Sequence, residues 1–339
     1  MAVYFMKKPN FKLIEYQKKQ DIKNRNNSTH ETQGQSYTYK SYPMGDCVDI
    51  HNSLYRNFVV EAVNAIKNKN SGRSRPYLDF NKTQTLTPMA MIYFKQVLEQ
   101  NKKKTCKGRT SPHSVVSGML GKLGIAKRLG FKSAKTNHNF VERWYSFSGE
   151  TTDLGDGYDE IENVLKEKFG EESETFDVVN TAIGEAIINV VNHAYTKDDE
   201  YKKWYLFLSI ASDKCNVIIS DLGITIPNSI PTKITDGFLK RIFNIDSWFG
   251  LDDGTKIEIA TQYQKTSTQL SYRGKGFQDM KAVCDQIDGA MMMVHSKGGY
   301  WAKKTGEDDE RIKKQTYKTA IDGTIVSWVL PLNDSMIDV

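Results

Sequence analysis

No apolar run in the 339-residue sequence is long enough to cross a membrane. The longest, such as residues 204–211, are strand-sized, against the roughly 20 residues a bilayer helix needs. The opening stretch, MAVYFMKKPNFK, carries charges where a secretory signal would have its apolar core. Cysteine is scarce: Cys47, Cys106, Cys215 and Cys284 lie far apart and form no C-x-x-C pair. That spacing gives no support to a zinc site and reads as free thiols in a reducing compartment. No internal repeat is visible. The excess of positive charge is small, +6, and fits a solvated basic surface better than a nucleic-acid groove. A cytoplasmic protein without membrane contact is expected.

What the sequence does contain is ordinary globular composition, 39% hydrophobic and 26% charged, in a length that fits two domains. Residues 1–42 are rich in Lys, Asn, Gln, Ser and Thr with no sustained period, the pattern of a flexible basic arm. Residues 43–148 read as a small α/β module. Leu54, Phe58, Val59, Ala62, Val63 and Ile66 predict a helix over 51–69. A short strand at 75–80, a helix at 88–100 opened by Pro88, and a helical stretch at 115–129 follow. Residues 149–173, with glycines and dense acidic charge, read as a linker around a short helix. In residues 174–334 the pattern becomes a long helix (176–195), a hairpin (204–211 and 216–221), a helix (277–287) and two strands (290–295 and 324–330). Helices layered on a mostly antiparallel sheet follow, a mixed α/β fold of the two-layer α+β sandwich kind.

Chemistry gathers on the long helix. Glu185, Asn189 and His193 stand at i, i+4 and i+8, so they share a face of a helix that is otherwise almost wholly apolar. A carboxylate and an amide set in such a helix cost free energy unless something pairs with them. A polar solvent stripe would give the same spacing. Downstream, Asp221 ends a strand and is followed by Gly223, which fits a plain turn or a ligand edge approached by backbone and carboxylate together. Arg273, Gly274, Lys275 and Gly276 stand just before a helix, where backbone N–H groups and the helix dipole favour an anion. A flexible loop has the same composition. Gly323 and Thr324 lead the last strand.

Taken in this order, the motifs resemble those of the GHKL ATPase superfamily, which includes DNA gyrase, a heat-shock chaperone, histidine kinases and mismatch-repair ATPases. Glu185, Asn189, His193, Ala194 and Tyr195 match the N-box most closely as it stands in anti-sigma-factor serine kinases. Residues 221–227 match the first glycine box and 273–277 the second. The resemblance covers about residues 176–332 and implies a Bergerat-type ATP-binding domain with ATP and Mg²⁺ as cofactors. It implies that Asn189 ligates Mg²⁺ through its side-chain oxygen, that Glu185 is the general base, and that Asp221 accepts a hydrogen bond from the adenine amino group. Thr324 would support Asp221, and Gly223 would let the base in close. Arg273, Gly274, Lys275 and Gly276 would contact phosphates. Asn192 and His193 belong near the site, although His193 equally fits a packing histidine.

Departures favour binding over fast turnover. Thr225 stands where the first box has its second glycine, and Phe277 where a leucine is common. A long insertion, 228–271, ends in a polar stretch that reads as a lid; a second, 298–320, is strongly charged and reads as a solvated excursion. The expected activity is a nucleotide-dependent regulatory switch, a Mg²⁺-dependent ATPase or an anti-sigma-type serine/threonine kinase. Residues 77–100 faintly resemble a STAS-type fold, which would make 43–148 a partner-binding or substrate-like module carrying Thr83, Thr85 or Thr87. A homodimer stays open, and a nucleic-acid partner is favoured only by basic runs. No phosphoacceptor helical hairpin of a sensor kinase precedes the ATP domain.

Overall fold

The structure is a computed structural model, and it describes residues 28–32, 35–68, 74–135, 144–155, 157–211, 213–232, 234–263, 276–306 and 309–332. Residues 204–211, WYLFLSIA, are apolar on both sides of the pleat, so they need a cover on both faces. They form a strand near one edge of a seven-stranded sheet. From edge to edge the sheet runs Asp309–Thr316 (β12), Gly299–Gly306 (β11), Met291–Ser296 (β10), Thr324–Pro331 (β13), Lys214–Asp221 (β9), Trp204–Ala211 (β8) and Trp144–Gly149 (β7), every pair antiparallel. Trp204, Leu206, Leu208 and Ile210 enter a core with helices Asp159–Phe169 (α5), Glu174–His193 (α6) and Gly276–Gln286 (α10). Tyr205 and Phe207 point the other way, into a core shared with the first part of the chain. Each such side chain fully removed from water contributes on the order of 1.5–3 kcal/mol.

That first part has its own sheet, in the order Ser28–Thr32 (β1), Gln35–Pro43 (β2), Ser74–Asp79 (β4) and Lys107–Arg109 (β6). The last three are parallel and β1 is antiparallel to β2. Cys47–Val48 (β3) and Thr85–Leu86 (β5) make a small parallel pair. Helix Ser53–Lys67 (α1) starts at Asn52, whose side chain accepts from the Leu54 N–H at 3.0 Å. Helix Pro88–Gln100 (α2) begins on its proline and packs across β8, β9 and β13. The seven-stranded sheet is therefore a middle layer, with α5, α6 and α10 on one face and the module on the other.

Several expectations change. Residues 28–32 and 35–42, expected within a flexible arm, form β1 and all but the last residue of β2, and β2 is held by parallel pairing with β4; residues 1–27 lie outside the described residues. Strand β7 sits in the span expected for the first module, yet it pairs with β8 and belongs to the second sheet. The helical stretch 115–129 is two helices, Ser114–Lys122 (α3) and Ile125–Leu129 (α4), because Gly124 turns the chain at φ +74°. The expected excursion 298–320 is instead the hairpin β11–β12, which extends the sheet. Residues 311–316 of its outer strand are exposed and carry Arg311, Lys313 and Lys314, as suits an edge. The insertion at 228–271 contains helices Ile226–Ser229 (α7), Asp236–Phe243 (α8) and Asp253–Gln262 (α9) around a small core of Ile230, Ile234, Leu239, Trp248 and Ile259.

Candidate functional site

Helix α6 begins at Ser173, whose hydroxyl accepts from the Phe176 N–H at 3.0 Å, with Glu174 and Asp177 in the first turn. Phe176, Val179, Ile183, Ala186, Ile187 and Val190 bury one face against the sheet. Glu185 and Asn189 fall beside that face, half-buried, next to the start of α10. A Cβ at Gly276 would lie 3.0 Å from Asn189 Nδ2 and 3.1 Å from Glu185 Oε2, so the absent side chain leaves a cradle between the two helices. Asn189 Nδ2 is buried and has no hydrogen-bond partner among the described residues. Burial, with the nearby Asp279 charge second, raises the Glu185 carboxyl above its ordinary value.

The other end of the site lies where β9 and β13 finish side by side. Asp221 is buried, and its Oδ1 accepts from the Gly223 N–H at 2.7 Å; the Thr324 N–H also donates to this carboxyl. Burial pushes Asp221 up to about 7, and the two N–H donors oppose that rise. Ser296, fully buried, ties the region together. Its hydroxyl donates to the Gly323 carbonyl at 3.0 Å, accepts from the Ile226 N–H at 2.9 Å, and meets the Thr324 hydroxyl at 2.9 Å. Since Ser296 spends its only proton on Gly323, Thr324 is the donor in their contact and both of its lone pairs stay available to accept.

The end of α6 is joined to the Asp221 loop. The Ile224 N–H donates to the Ala194 carbonyl at 2.6 Å, and the Tyr195 hydroxyl accepts from the Leu222 N–H at 3.0 Å while donating to the Lys203 carbonyl at 2.8 Å. Gly223 is needed for this joint: a Cβ there would lie 2.0 Å from the Ala194 carbonyl oxygen. The backbones of the two segments approach closely at this point, beside the part expected of Gly223 in admitting a base. Gly323, at φ +64°, would clash with the Asp221 carbonyl oxygen at 2.1 Å if it carried a Cβ.

Between the two ends lies a cavity of about 1060 Å³, lined by Glu185, Asn189, Asp221, Gly276 and Thr324. Asn192 and His193 stand exposed on its rim, and apolar Ile188 and Ile224 face it. Thr225 is buried and starts α7. Arg273, Gly274 and Lys275, with the rest of the expected lid from 264 to 275, lie outside the described residues. Ser296 had no sequence signal, since a serine inside a strand looks like any other. Among the described residues, no group of three or more His, Cys, Asp or Glu is placed to hold a metal.

Neither a family model nor a curated protein matches the sequence. Among solved structures, the histidine kinase domain of the blue-light activated histidine kinase from Erythrobacter litoralis EL346 is similar at 13% identity. The similarity covers 74% of this chain and 89% of that one, with a TM-score of 0.25.

Proposed function

We propose that residues 174–334 form a GHKL-type, Bergerat-fold adenine-nucleotide-binding domain acting as a nucleotide-dependent switch. The observation that carries this reading is one cavity walled by Glu185, Asn189 and Gly276 at one end and by Asp221 and Thr324 at the other. These positions span 140 residues of sequence (324 minus 185, inclusive), and they are the ones the motifs single out. Asp221 is a buried acceptor suited to the adenine amino group, with the Thr324 hydroxyl beside it. The buried Asn189 Nδ2, unpartnered among the described residues, fits a site completed by phosphate and Mg²⁺, the side-chain oxygen being a suitable ligand for that hard cation. Bound Mg²⁺ would neutralise phosphate charge. Glu185, its carboxyl raised by burial, would take the proton of an attacking water or hydroxyl.

Hydrolysis and transfer to a protein hydroxyl would use the same base, so the destination of the phosphoryl group separates ATPase from kinase. Of the module threonines, Thr83 is fully buried and donates to the Gly45 carbonyl at 2.8 Å; Thr87 donates to Val48 at 3.2 Å. Thr85 is exposed and is the most open of these three hydroxyls. The experiment incubates the protein with Mg²⁺ and γ-labelled ATP, with and without DNA, and follows label to free phosphate or to protein. Calorimetric titration with ADP and a non-hydrolysable ATP analogue runs beside it. Failure to bind either nucleotide would end the proposal. Label on phosphate supports the ATPase, label on protein the kinase, and turnover that appears only with DNA the nucleic-acid-linked form.

A further inference from the structure

The adenine end of the cavity is gripped from behind by the module. Helix α2 lies on the opposite face of the sheet and presents two buried polar side chains, Tyr93 and Gln96, one turn apart. Gln96 Nε2 donates to the Ser220 carbonyl at 2.7 Å, and the Ser220 hydroxyl donates back to Gln96 Oε1 at 2.7 Å. Ser220 is the residue before Asp221. The Tyr93 hydroxyl donates to Asp322 Oδ2 and accepts from the Asp322 N–H, both at 3.2 Å, and Lys67 of α1 pairs with Asp322 Oδ1 at 2.6 Å. Asp322 precedes Gly323 and Thr324. One helix of the module thus holds the ends of both strands that carry the polar groups of the cavity.

Packing alone does not call for this arrangement. Gln96 and Ser220 are both fully buried, and leucine and alanine would fill an apolar contact without the desolvation cost of two polar side chains. What the reciprocal bonds add is a fixed position for a strand end, on a sheet whose neighbouring turn has no slack: Gly323 already abuts the Asp221 carbonyl.

We infer that Gln96 and Tyr93 are positioning residues for nucleotide binding, holding Asp221 and Thr324 in register from the far side of the sheet. The inference rests on the nucleotide reading for its ligand, but the position of Asp221 can be read without one. A loosened strand end lets water reach Asp221, so its titration moves back toward the ordinary carboxylate range.

The test uses the full chain with carboxyl-labelled aspartate, followed by NMR against pH without nucleotide, and calorimetry with ADP. Gln96→Leu should lower the Asp221 midpoint by about one unit or more and weaken ADP about 5–10-fold. Tyr93→Phe, which removes a single hydroxyl, should move both in the same direction by less. Phe94→Leu is the control: this buried side chain on the same helix meets Phe80 edge-to-face inside the module, and the variant should lose stability while both readings stay fixed. Should Gln96→Leu fail to fold, Tyr93→Phe decides alone. An unchanged Asp221 midpoint in the folded variants, or an equal shift in Phe94→Leu, overturns the inference. If wild type binds no adenine nucleotide while Gln96→Leu still moves the midpoint, the nucleotide reading falls and the positioning role stands.

Discussion

Asp221 titrates in a useful range because it is buried, and its charge state decides what it offers a ligand. Ionised, it accepts a hydrogen bond from an amino group; protonated, it presents a donor to a donor. With the carboxyl pushed up to about 7, ADP affinity is expected to fall as pH drops below 7, by roughly tenfold per unit at most. Calorimetry between pH 8 and 6 in two buffers of different ionisation enthalpy would show binding coupled to proton release. A flat affinity profile would remove Asp221 from recognition. Asp221→Asn should abolish the dependence and weaken binding by about 2–4 kcal/mol with circular dichroism unchanged. Glu185→Ala belongs to the other end of the cavity. Nucleotide should still bind, and turnover should fall about 10²–10⁴-fold, the scale of a lost general base. Full turnover in that variant would make this helix face structural.

Two glycines separate joints between elements from space within the site. At Gly223 a Cβ would strike the backbone of α6, and neither chain can yield without breaking the Ile224–Ala194 bond. Gly223→Ala should therefore cost about 1–3 kcal/mol in urea unfolding. At Gly276 the neighbours are side-chain ends, and alanine suits a helix start. Gly276→Ala should leave stability unchanged or higher yet weaken Mg²⁺-nucleotide binding by crowding Asn189 and Glu185. Equal stability losses in the two variants would contradict this division. The elements on which this contrast depends were readable beforehand: α6, α10, β8, β9 and β13 lie within a few residues of their expected bounds, because their apolar periods are set by the faces they bury. Asp221, Glu185 and Asn189 stood out as polar residues among apolar ones. Other features gave no such signal. Strand β12 is hidden by the charge an edge requires, and β7 by a partner 60 residues downstream. The joint at Gly223 gave no signal either, because the group it approaches, the Ala194 carbonyl, becomes its neighbour only in the fold.

At the scale of the molecule, module and sheet also meet around a buried arginine. Arg56 donates to the carbonyls of Ile50, Thr319 and Lys297 and lies 4.3 Å from the Tyr317 ring centre, beside His51, His295 and Tyr300. His295 is fully buried, and both ring nitrogens lack a hydrogen-bond partner among the described residues. Burial, then Arg56, then His51 hold it well below the ordinary histidine value. The unfolded chain takes up this proton near pH 6.5 and the folded one does not, so stability is complete above that pH and drains below it, by up to about 1.4 kcal/mol per unit. Asp221 works in the opposite sense below 7, since its raised value lets the folded state hold a proton the unfolded chain releases. Comparing His295→Phe with wild type isolates the histidine: their urea midpoints should converge or cross from pH 7.5 to 5.5, and parallel decline would refute the assignment. The strand order has a consequence for how the protein is made. Strand β13, the last of the described sheet to be synthesised, is its middle strand, between β10 and β9. While translation is under way the sheet exists as two unjoined halves, each with an open edge, and the module has only part of its floor. Completion must wait until residue 331 is clear of the ribosome, leaving the nascent halves exposed to chaperones, or to each other on neighbouring chains.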